Sequence, residues 1–422
     1  MDVTTTTLDS GVIVTSESMS TVRSVALGAW MTVGSRDEAD DEHGCSHFLE
    51  HLLFKGTERR TARDIAEPMD AVGGELNAFT TREMTVFHAR VIDEDLPLAI
   101  DLLGDMLNRP TNTPADVDAE RDVVLSEIDI FLDTPEDLVG TALVEQVVGD
   151  HQLAKDPLGT DASVTGMARD TIHEFFQRWY RPANTVIAAA GNVDHDALVA
   201  LVEQHVGDLG RPGGDRPVRS APPAPTVSTA SVQQKDNEQV HITIGGRAIA
   251  LDDPRRPALS VLDVILGGGM SSRLFQTIRE ERGLAYSTYS WTSSWKDLGM
   301  WGVYAGVSAK NQDEALALLV SEVDRFSGSV TEEEVARARG TLRGSVVLGY
   351  EDSGARMSKL GRWVTSDIRI RTIDELLRMI DGVTLSDVRA IAEELLLGTR
   401  HLAVVGPTDS VDVASIAPTV SV

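Results

Sequence analysis

The feature that most constrains the fold is an interval rich in proline and glycine at residues 209–231. It contains the runs Arg-Pro-Gly-Gly-Asp-Arg-Pro and Ala-Pro-Pro-Ala-Pro, which favour an extended chain over a helix or strand. At 422 residues the chain is also too long for one ordinary core. We therefore predict an N-terminal domain at 1–210, a linker at 211–231 and a C-terminal domain at 232–422.

The order of predicted elements recurs on the two sides of this linker. In each half a strand precedes two helices, two further strands and more helices, and a late buried strand follows. The late strands that begin at Thr185 and His401 look like counterparts. The pattern predicts an α+β fold built from two copies of one unit, each a mostly antiparallel sheet covered by helices.

Composition restricts the location of the protein. Of the residues, 42% are hydrophobic and 25% are charged, and no apolar run approaches the length of a membrane span. The first twenty residues lack the basic start and apolar block of a signal peptide. Cys45 is the single cysteine, so no intramolecular disulfide can form. We expect a soluble, cytoplasmic protein.

The charge balance restricts the partners. The formal net charge is −28, and nucleic acids and anionic membranes are themselves polyanions that need a basic surface. We therefore expect neither nucleic acid nor membrane as a partner. The acidic excess has two readings that remain open, solubility in a salty cytoplasm or a preference for basic peptides.

The segment His47-Phe-Leu-Glu-His51 is a candidate metal site. Residues four apart on an α-helix share one face, so His47 and His51 can offer two imidazoles to one ion. Glu50 lies near that face, where a carboxylate can deprotonate a metal-bound water without binding the metal itself. Two histidines suit zinc, and a catalytic zinc site needs a third protein ligand and an open position.

The third ligand is expected on the long helix that follows Pro114. Glu120 and Glu127 are two helical turns apart on one face, and carboxylates on an otherwise apolar face are costly unless they are paired or bound to a metal. We assign Glu127 as the ligand and Glu120 as the group that orients a ligand or assists proton transfer. Helix geometry alone allows the two roles to be exchanged.

The alternative to a metal site is that the two histidines lie on an ordinary, partly buried helix that binds no metal. Cys45 is a poor ligand, because a spacing of two residues directs side chains about 200° apart on a helix. We read it as a small buried residue at the helix start. His88 lies on a predicted strand from Thr85 to Ile92, and strand alternation leaves open which face it occupies.

The sequence Gly44-Cys-Ser-His-Phe-Leu-Glu-His-Leu-Leu-Phe-Lys-Gly-Thr57 closely resembles the active-site helix of the pitrilysin-like inverzincin peptidases. That family includes insulin-degrading enzyme and the mitochondrial processing peptidases, and the likeness covers nearly the whole chain. It implies that Glu127 is the third zinc ligand and that Glu120 is the family's second acidic residue. It also implies the activity of a zinc metalloendopeptidase.

The resemblance further implies residues that contact the substrate. The sequence Gly73-Gly-Glu-Leu-Asn-Ala-Phe-Thr80 looks like the family's edge strand, on which a peptide binds as an added strand. We assign Asn77, Ala78 and Phe79 to this role. In the second half, Arg282 and Tyr286 match residues that reach the substrate from the other domain.

The family also implies the assembly. The second half has no His-x-x-Glu-His, so one Zn²⁺ per chain is expected. Two such units form half of the clamshell of the longer relatives, so two chains would complete it, as a homodimer or as a heterodimer with a degenerate homologue. The expected reaction is hydrolysis of short or unfolded peptides in a closed chamber. The alternative is a non-catalytic structural or peptide-presenting subunit.

Overall fold

The computed structural model describes residues 3–408 and 413–416. The strands are β1 Val3–Thr7, β2 Ile13–Ser18, β3 Ser24–Met31, β4 Glu75–Thr80, β5 Thr85–Ile92, β6 Thr185–Gly191, β7 Ala230–Gln234, β8 Gln239–Ala248, β9 Ala285–Ser294, β10 Gly299–Ser308 and β11 Arg400–Gly406. The helices are α1 Cys45–Leu53, α2 Ala62–Ala71, α3 Leu96–Asn108, α4 Pro114–Leu132, α5 Pro135–Val148, α6 Asp161–Gly166, α7 Arg169–Trp179, α8 His195–His205, α9 Arg256–Leu266, α10 Gln312–Ser329, α11 Glu332–Gly349, α12 Ser353–Thr365, α13 Ile373–Asp381 and α14 Leu385–Leu396. No helix in the described part of the chain is both long and apolar enough to cross a membrane.

The chain forms two compact units, and each unit draws on both halves of the sequence. The first unit contains Met1–Asp129, Lys155–Arg219 and Leu348–Thr372. The second unit contains Ile130–Ala154, Ser220–Val347 and Ile373–Val422. The predicted division at 1–210 and 232–422 differs from this arrangement, because α5 belongs to the second unit and α12 to the first.

The first unit is built on a six-stranded sheet with the order β1-β2-β6-β3-β5-β4. Its neighbouring strands are antiparallel except for β2 and β6, which are parallel. Every residue of the central strand β6 is buried, whereas exposed and partly buried positions alternate along the edge strand β4. An edge strand with one solvated face shows this alternation.

The second unit contains a five-stranded sheet with the order β7-β11-β8-β10-β9. Again one pair is parallel, β7 with β11, and the remaining pairs are antiparallel. This order repeats β2-β6-β3-β5-β4 of the first sheet strand for strand. The predicted α+β fold of two related units is therefore confirmed, and the late strands β6 and β11 occupy equivalent positions.

The exchange of helices between the halves follows from the burial of both sheet faces. One face of the first sheet joins α1, α3 and α7 in a large apolar core. The other face presents Ala26, Trp30 and Val186, which pack against Met357 and Leu360 of α12. In the second unit, α5 covers the equivalent apolar face through Leu143 and other residues. A sheet that is apolar on both faces needs cover on both, and these two helices provide it.

The sequence prediction missed the strands β1, β2 and β7. The run of threonines at the start of the chain forms β1, which pairs with β2 at the edge of the first sheet. β7 begins at Ala230, at the end of the predicted linker, and pairs with β11. Threonine has a high propensity for strands, but neither β1 nor β7 shows the apolar alternation from which strands were predicted.

The segment before β7 has no helix or strand, as its prolines and glycines predict. It is nevertheless anchored to the first unit by arginines. Arg211 donates to the carbonyl oxygens of Tyr180 and Leu107. Arg219 donates to both carboxylate oxygens of Asp37, at 2.8 and 2.6 Å. The first unit therefore extends to Arg219.

The contact between α12 and the first sheet depends on a glycine. A Cβ at Gly361 would lie 2.0 Å from Cε2 of Trp30, whose indole is buried. We predict that Gly361→Ala lowers the free energy of unfolding by about 1–3 kcal/mol, because the indole has no room to move without disturbing the core. Urea denaturation measures this change.

Gly344 of α11 is the matched control, because nothing lies within 4 Å of a Cβ at that position. Gly344→Ala should leave stability unchanged or raise it by about 0.5–1 kcal/mol through helix propensity. Equal effects of the two substitutions would contradict the close packing of α12 on Trp30.

Candidate metal centre

Helix α1 has one apolar face and one polar face. Cys45, Phe48, Leu49 and Leu52 are fully buried in the core of the first unit, which fixes the rotation of the helix. The opposite face carries the histidines of the His47-to-His51 motif, which are only partly buried. Because the apolar residues recur every three to four positions, their burial directs both imidazoles to the same side.

A buried carboxylate caps the start of α1. Glu38 accepts hydrogen bonds from the backbone N–H groups of Gly44, at 2.8 Å, and Ser46, at 2.7 Å. The first N–H groups of a helix have no partner within the helix, and a negative charge there is favoured by the helix dipole. Burial raises the pKa of Glu38 to about 8, although these two hydrogen bonds oppose the increase. Glu38 thereby fixes the start of the helix.

The three predicted ligands lie together. Nε2 of His47 is 3.3 Å from Nε2 of His51. Oε2 of Glu127, on α4, is 3.4 Å from Nε2 of His47 and 3.5 Å from Nε2 of His51. Within the part of the chain that the structure describes, this is the one group of three or more His, Cys, Asp or Glu side chains placed to hold a metal ion.

The donors and their spacing fit zinc. In a tetrahedral site with bonds of about 2.0–2.2 Å, two ligand atoms are about 3.4 Å apart, which matches all three separations. Two imidazole nitrogens and one carboxylate oxygen form a known set of catalytic zinc ligands, and a fourth position stays open. Burial, with a smaller contribution from the neighbouring His51, lowers the pKa of His47 to about 4. His47 is therefore neutral near pH 7, as a metal ligand must be.

Glu120 lies behind His51 rather than in the ligand group. Its Oε2 is 3.0 Å from Nδ1 of His51, and its other oxygen forms an ion pair with Lys55. A carboxylate in this position favours the tautomer of His51 that carries its proton on Nδ1, which leaves Nε2 free to bind a metal. The structure therefore distinguishes the two carboxylates whose roles helix geometry had left interchangeable.

Glu50 projects from the polar face of α1 without joining the ligand group. Its Oε2 accepts a hydrogen bond of 2.5 Å from Oγ1 of Thr80, the last residue of β4. Burial raises the pKa of Glu50, and the nearby carboxylate of Glu127 adds to the increase. A carboxylate with a raised pKa is a stronger base, which is the property that general-base catalysis requires.

The predicted substrate strand is β4, at the edge of the first sheet. The side chain of Ala78 packs on the core, whereas Asn77 and Phe79 lie on the opposite face. The backbone N–H of Ala78 is bound by the side-chain oxygen of Asn77, at 2.8 Å. In the described residues β4 pairs only with β5, so its outer edge has no strand partner.

Arg282 and Tyr286 belong to the second unit. Arg282 forms an ion pair with Glu314 at 3.1 Å, and both side chains are about half exposed. Tyr286 is 79% exposed, and the Arg279 guanidinium stacks on its ring at 4.6 Å. Residues 275–281, just before them, form a π-helix where a helix was predicted. π-Helical turns are rare in proteins overall, and many of those that occur lie at functional sites.

Two residues considered from the sequence lie outside the ligand group. Cys45 is fully buried in the core at the first position of α1. His88 pairs across the sheet with Asn77 and lies 6.0 Å, ring to ring, from Phe79, on the face opposite to the buried core residues Phe87 and Ala89. Burial lowers the pKa of His88.

Sequence reasoning missed two residues that support the site. Glu38 was missed because helix caps are normally sought one residue before the helix, and this carboxylate comes from an upstream loop. Thr80 was missed although it ends the strand that had been singled out. Its signal was its place as the only hydroxyl residue on the same strand face as Leu76 and Ala78.

Comparison with known proteins agrees with this arrangement. Residues 13–161 match the family described as Insulinase (Peptidase family M16), and residues 166–342 match the Peptidase M16 inactive domain. An uncharacterized zinc protease of Streptomyces coelicolor is 42% identical over 414 residues, which cover 95% of this chain and 89% of the relative. The chain belongs to peptidase family M16.

Other M16 relatives match over similar lengths. Uncharacterized zinc proteases of Mycobacterium leprae and Bacillus subtilis are 44% and 35% identical, each over 95% of this chain and over 91% and 98% of the relatives. Among solved structures, a peptidase M16 inactive domain from Pseudomonas fluorescens has a TM-score of 0.89 at 20% identity, covering 98% of this chain and 99% of the other. A protease from Helicobacter pylori has the same TM-score and identity, covering 96% and 99%.

The role of Glu120 in this M16 site is open to measurement. We predict that Glu120→Gln weakens zinc binding by about 10–100-fold, because His51 loses the carboxylate that orients its ring and makes Nε2 a better donor. Competition with a chelating dye measures the affinity. Asp118→Asn is the control, since this carboxylate lies on the same helix and is 79% exposed. Equal affinity in both variants would show that Glu120 does not support His51.

Proposed function

We propose that this M16 protein is a zinc-dependent endopeptidase that hydrolyses short or unfolded peptides. The observation that carries the proposal is the placement of Glu50 beside a His47, His51 and Glu127 group with the spacing of zinc ligands. The names of the M16 relatives, zinc proteases, support it as well. We further propose that each chain binds one Zn²⁺.

His47, His51 and Glu127 would hold the metal. Bound zinc supplies a Lewis acid that polarises the scissile carbonyl and makes a water molecule more acidic near neutral pH. Glu50 takes the proton from the attacking water and then delivers it to the leaving amine. The hydrogen bond from Thr80 occupies one oxygen of Glu50 and leaves the other available for this transfer.

The edge of β4 is the proposed binding site for the peptide backbone. An extended peptide that adds to an open strand edge gains main-chain hydrogen bonds, which place few demands on its sequence. For such pairing at Ala78, the side chain of Asn77 must release the Ala78 N–H. Asn77 and Phe79 would then contact alternate side chains of the peptide.

We also propose that two chains form the active assembly, as a homodimer or with a degenerate homologue. Two observations support this. The described residues contain one metal group in a chain of 422 residues, and the second half matches a domain described as inactive. In this proposal the second unit contributes Arg282 and Tyr286 to the substrate instead of a second metal.

The decisive variant is Glu50→Gln, which preserves the size of the side chain and removes its basicity. We predict that it retains one zinc per chain and loses about 10²-fold or more in the rate of peptide hydrolysis. Metal content is measured by elemental analysis, and turnover by mass spectrometry of a mixed peptide library. In the unmodified protein, a chelator should stop hydrolysis and added zinc should restore it.

Glu67→Gln provides the control for this experiment. Glu67 lies on the exposed face of α2, where its side chain is 57% exposed and pairs with Arg63. This variant should keep both its zinc and its rate. Near-normal turnover of Glu50→Gln would exclude Glu50 as the base. Absence of any zinc-dependent hydrolysis across the library would favour the alternative, a structural or peptide-presenting M16 subunit.

Replacement of Tyr286 tests whether the second unit takes part in the proposed reaction. If its hydroxyl hydrogen-bonds to the carbonyl oxygen as charge develops there, Tyr286→Phe should lower kcat by about 10²-fold without loss of zinc. Tyr289→Phe is the control, because the Tyr289 hydroxyl already donates to Glu136 at 2.8 Å. Equal rates for the two variants would show that the Tyr286 hydroxyl takes no part in the reaction.

A further inference from the structure

A cavity of about 270 Å³ lies within the first unit, remote from the metal group. Its walls come from β1, β2, α12 and the segments on either side of α12, and include Glu17, Arg356, Lys359, Trp363 and Arg371. β1 and β2 form the edge of the sheet opposite to β4, and α12 covers the face opposite to α1. None of the lining residues has a role in the proposed peptidase reaction.

The cavity has an excess of positive charge in a strongly acidic protein. Glu17 is its only carboxylate and is engaged by Arg356, whose Nε donates to Oε2 at 2.8 Å. Both side chains of this pair are almost fully buried. Lys359 and Arg371 remain, and no ion pair joins either of them to a carboxylate of residues 3–408 or 413–416. Two cations without a carboxylate partner among the described residues, at one cavity, are unexpected in a chain with a net charge of −28, in which acidic residues greatly outnumber basic ones.

The ammonium group of Lys359 is held in place by aromatic rings. Its Nζ lies 4.7 Å from the ring centre of Tyr350 and 4.9 Å from that of Trp363. Cation–π contacts of this kind fix the position of the charge without neutralising it. Burial, with a smaller contribution from the charge of Arg356, lowers the pKa of Lys359 to about 8. A bound anion would reverse this penalty, because it favours the charged ammonium.

The rest of the wall is apolar. Val3, Leu360 and Ile370 line the cavity together with the two aromatic rings. Its volume of about 270 Å³ lies just below the roughly 300–1,000 Å³ typical of ligand pockets, so the occupant has few atoms. The two cations favour an anionic group in the cavity, and the apolar wall favours a hydrocarbon body beside it.

We propose that this cavity binds a carboxylate that carries an apolar side chain. Lys359 and Arg371 pair with the carboxylate, and the hydrocarbon body packs on Leu360 and Ile370. Two sources share this chemistry, the C-terminal residue of a peptide and a free small carboxylate. The proposal does not depend on peptidase activity, because the cavity shares no residue with the metal group.

The test uses calorimetric titration of the zinc-loaded protein with N-acetyl-leucine and with the longer N-acetyl-alanyl-alanyl-leucine. Each ligand is compared with its C-terminal amide, which has the same shape and no charge. We expect both acids, or the small acid alone, to bind with a Kd of about 0.1–1 mM, and the amides to bind at least about tenfold more weakly. Binding of both acids identifies peptide C-termini as a source, and binding of the small acid alone identifies free carboxylates.

The matched variants are Lys359→Met and Lys310→Met. Methionine keeps an apolar stem between the two rings, and we expect about tenfold weaker binding of the acids. Lys310 is exposed in the second unit, so its variant should bind as the unmodified protein does. Arg371→Gln provides the same test if Lys359→Met fails to fold. The proposal is overturned if no acid binds below about 10 mM, if amides bind equally well, if the cavity variants bind normally, or if inorganic phosphate binds and carboxylates do not.

Discussion

Both sheets of this M16 chain are apolar on two faces, and the need to cover all four faces organises the molecule. Nearby helices cover one face of each sheet, but the second face of the first sheet is covered by α12, far along the chain. The equivalent face of the second sheet is covered by α5, from the first half. Burial of apolar area supplies the main favourable term in folding, so neither unit is complete without its exchanged helix.

The same two-sided covering creates both sites of the first unit. On one face, the packing of α1 against the sheet turns His47 and His51 outward together. On the other face, α12 brings Arg356 and Lys359 beside β1 and β2 and leaves a cavity between them. The metal group and the cavity therefore lie at opposite edges and on opposite faces of one sheet. Separation of this kind allows each to be altered without disturbing the other.

The sequence was informative about α1, because its apolar periodicity, its histidines and its resemblance to a known family all agree. It predicted β4 and β5 to the residue, since both strands are bounded by glycine or polar turns. The sequence did not predict the exchange of α5 and α12. Which sheet each helix covers depends on which apolar faces, distant in the sequence, pack together. The cap by Glu38 and the π-helix at 275–281 depend on backbone hydrogen bonds that no local pattern encodes.

Four glutamates at or near the metal group have different roles because each has different partners in the fold. Glu127 points its oxygen at both imidazoles, whereas Glu120 is held between His51 and Lys55. Glu38 is engaged by two backbone N–H groups, and Glu50 by one hydroxyl. Each role follows from the partner that the fold supplies, not from the position of the residue in the motif.

The hydrogen bond between Thr80 and Glu50 links the proposed substrate strand to the proposed base. Thr80 ends β4, the strand whose free edge is available to a peptide, and its hydroxyl fixes one oxygen of Glu50 at 2.5 Å. A peptide that pairs with β4 is thereby placed in a fixed register relative to that carboxylate. Effective catalysis requires reacting groups to be held within a few tenths of an ångström. In the proposed reaction, therefore, the strand that binds the peptide also positions the carboxylate that accepts the proton of the attacking water.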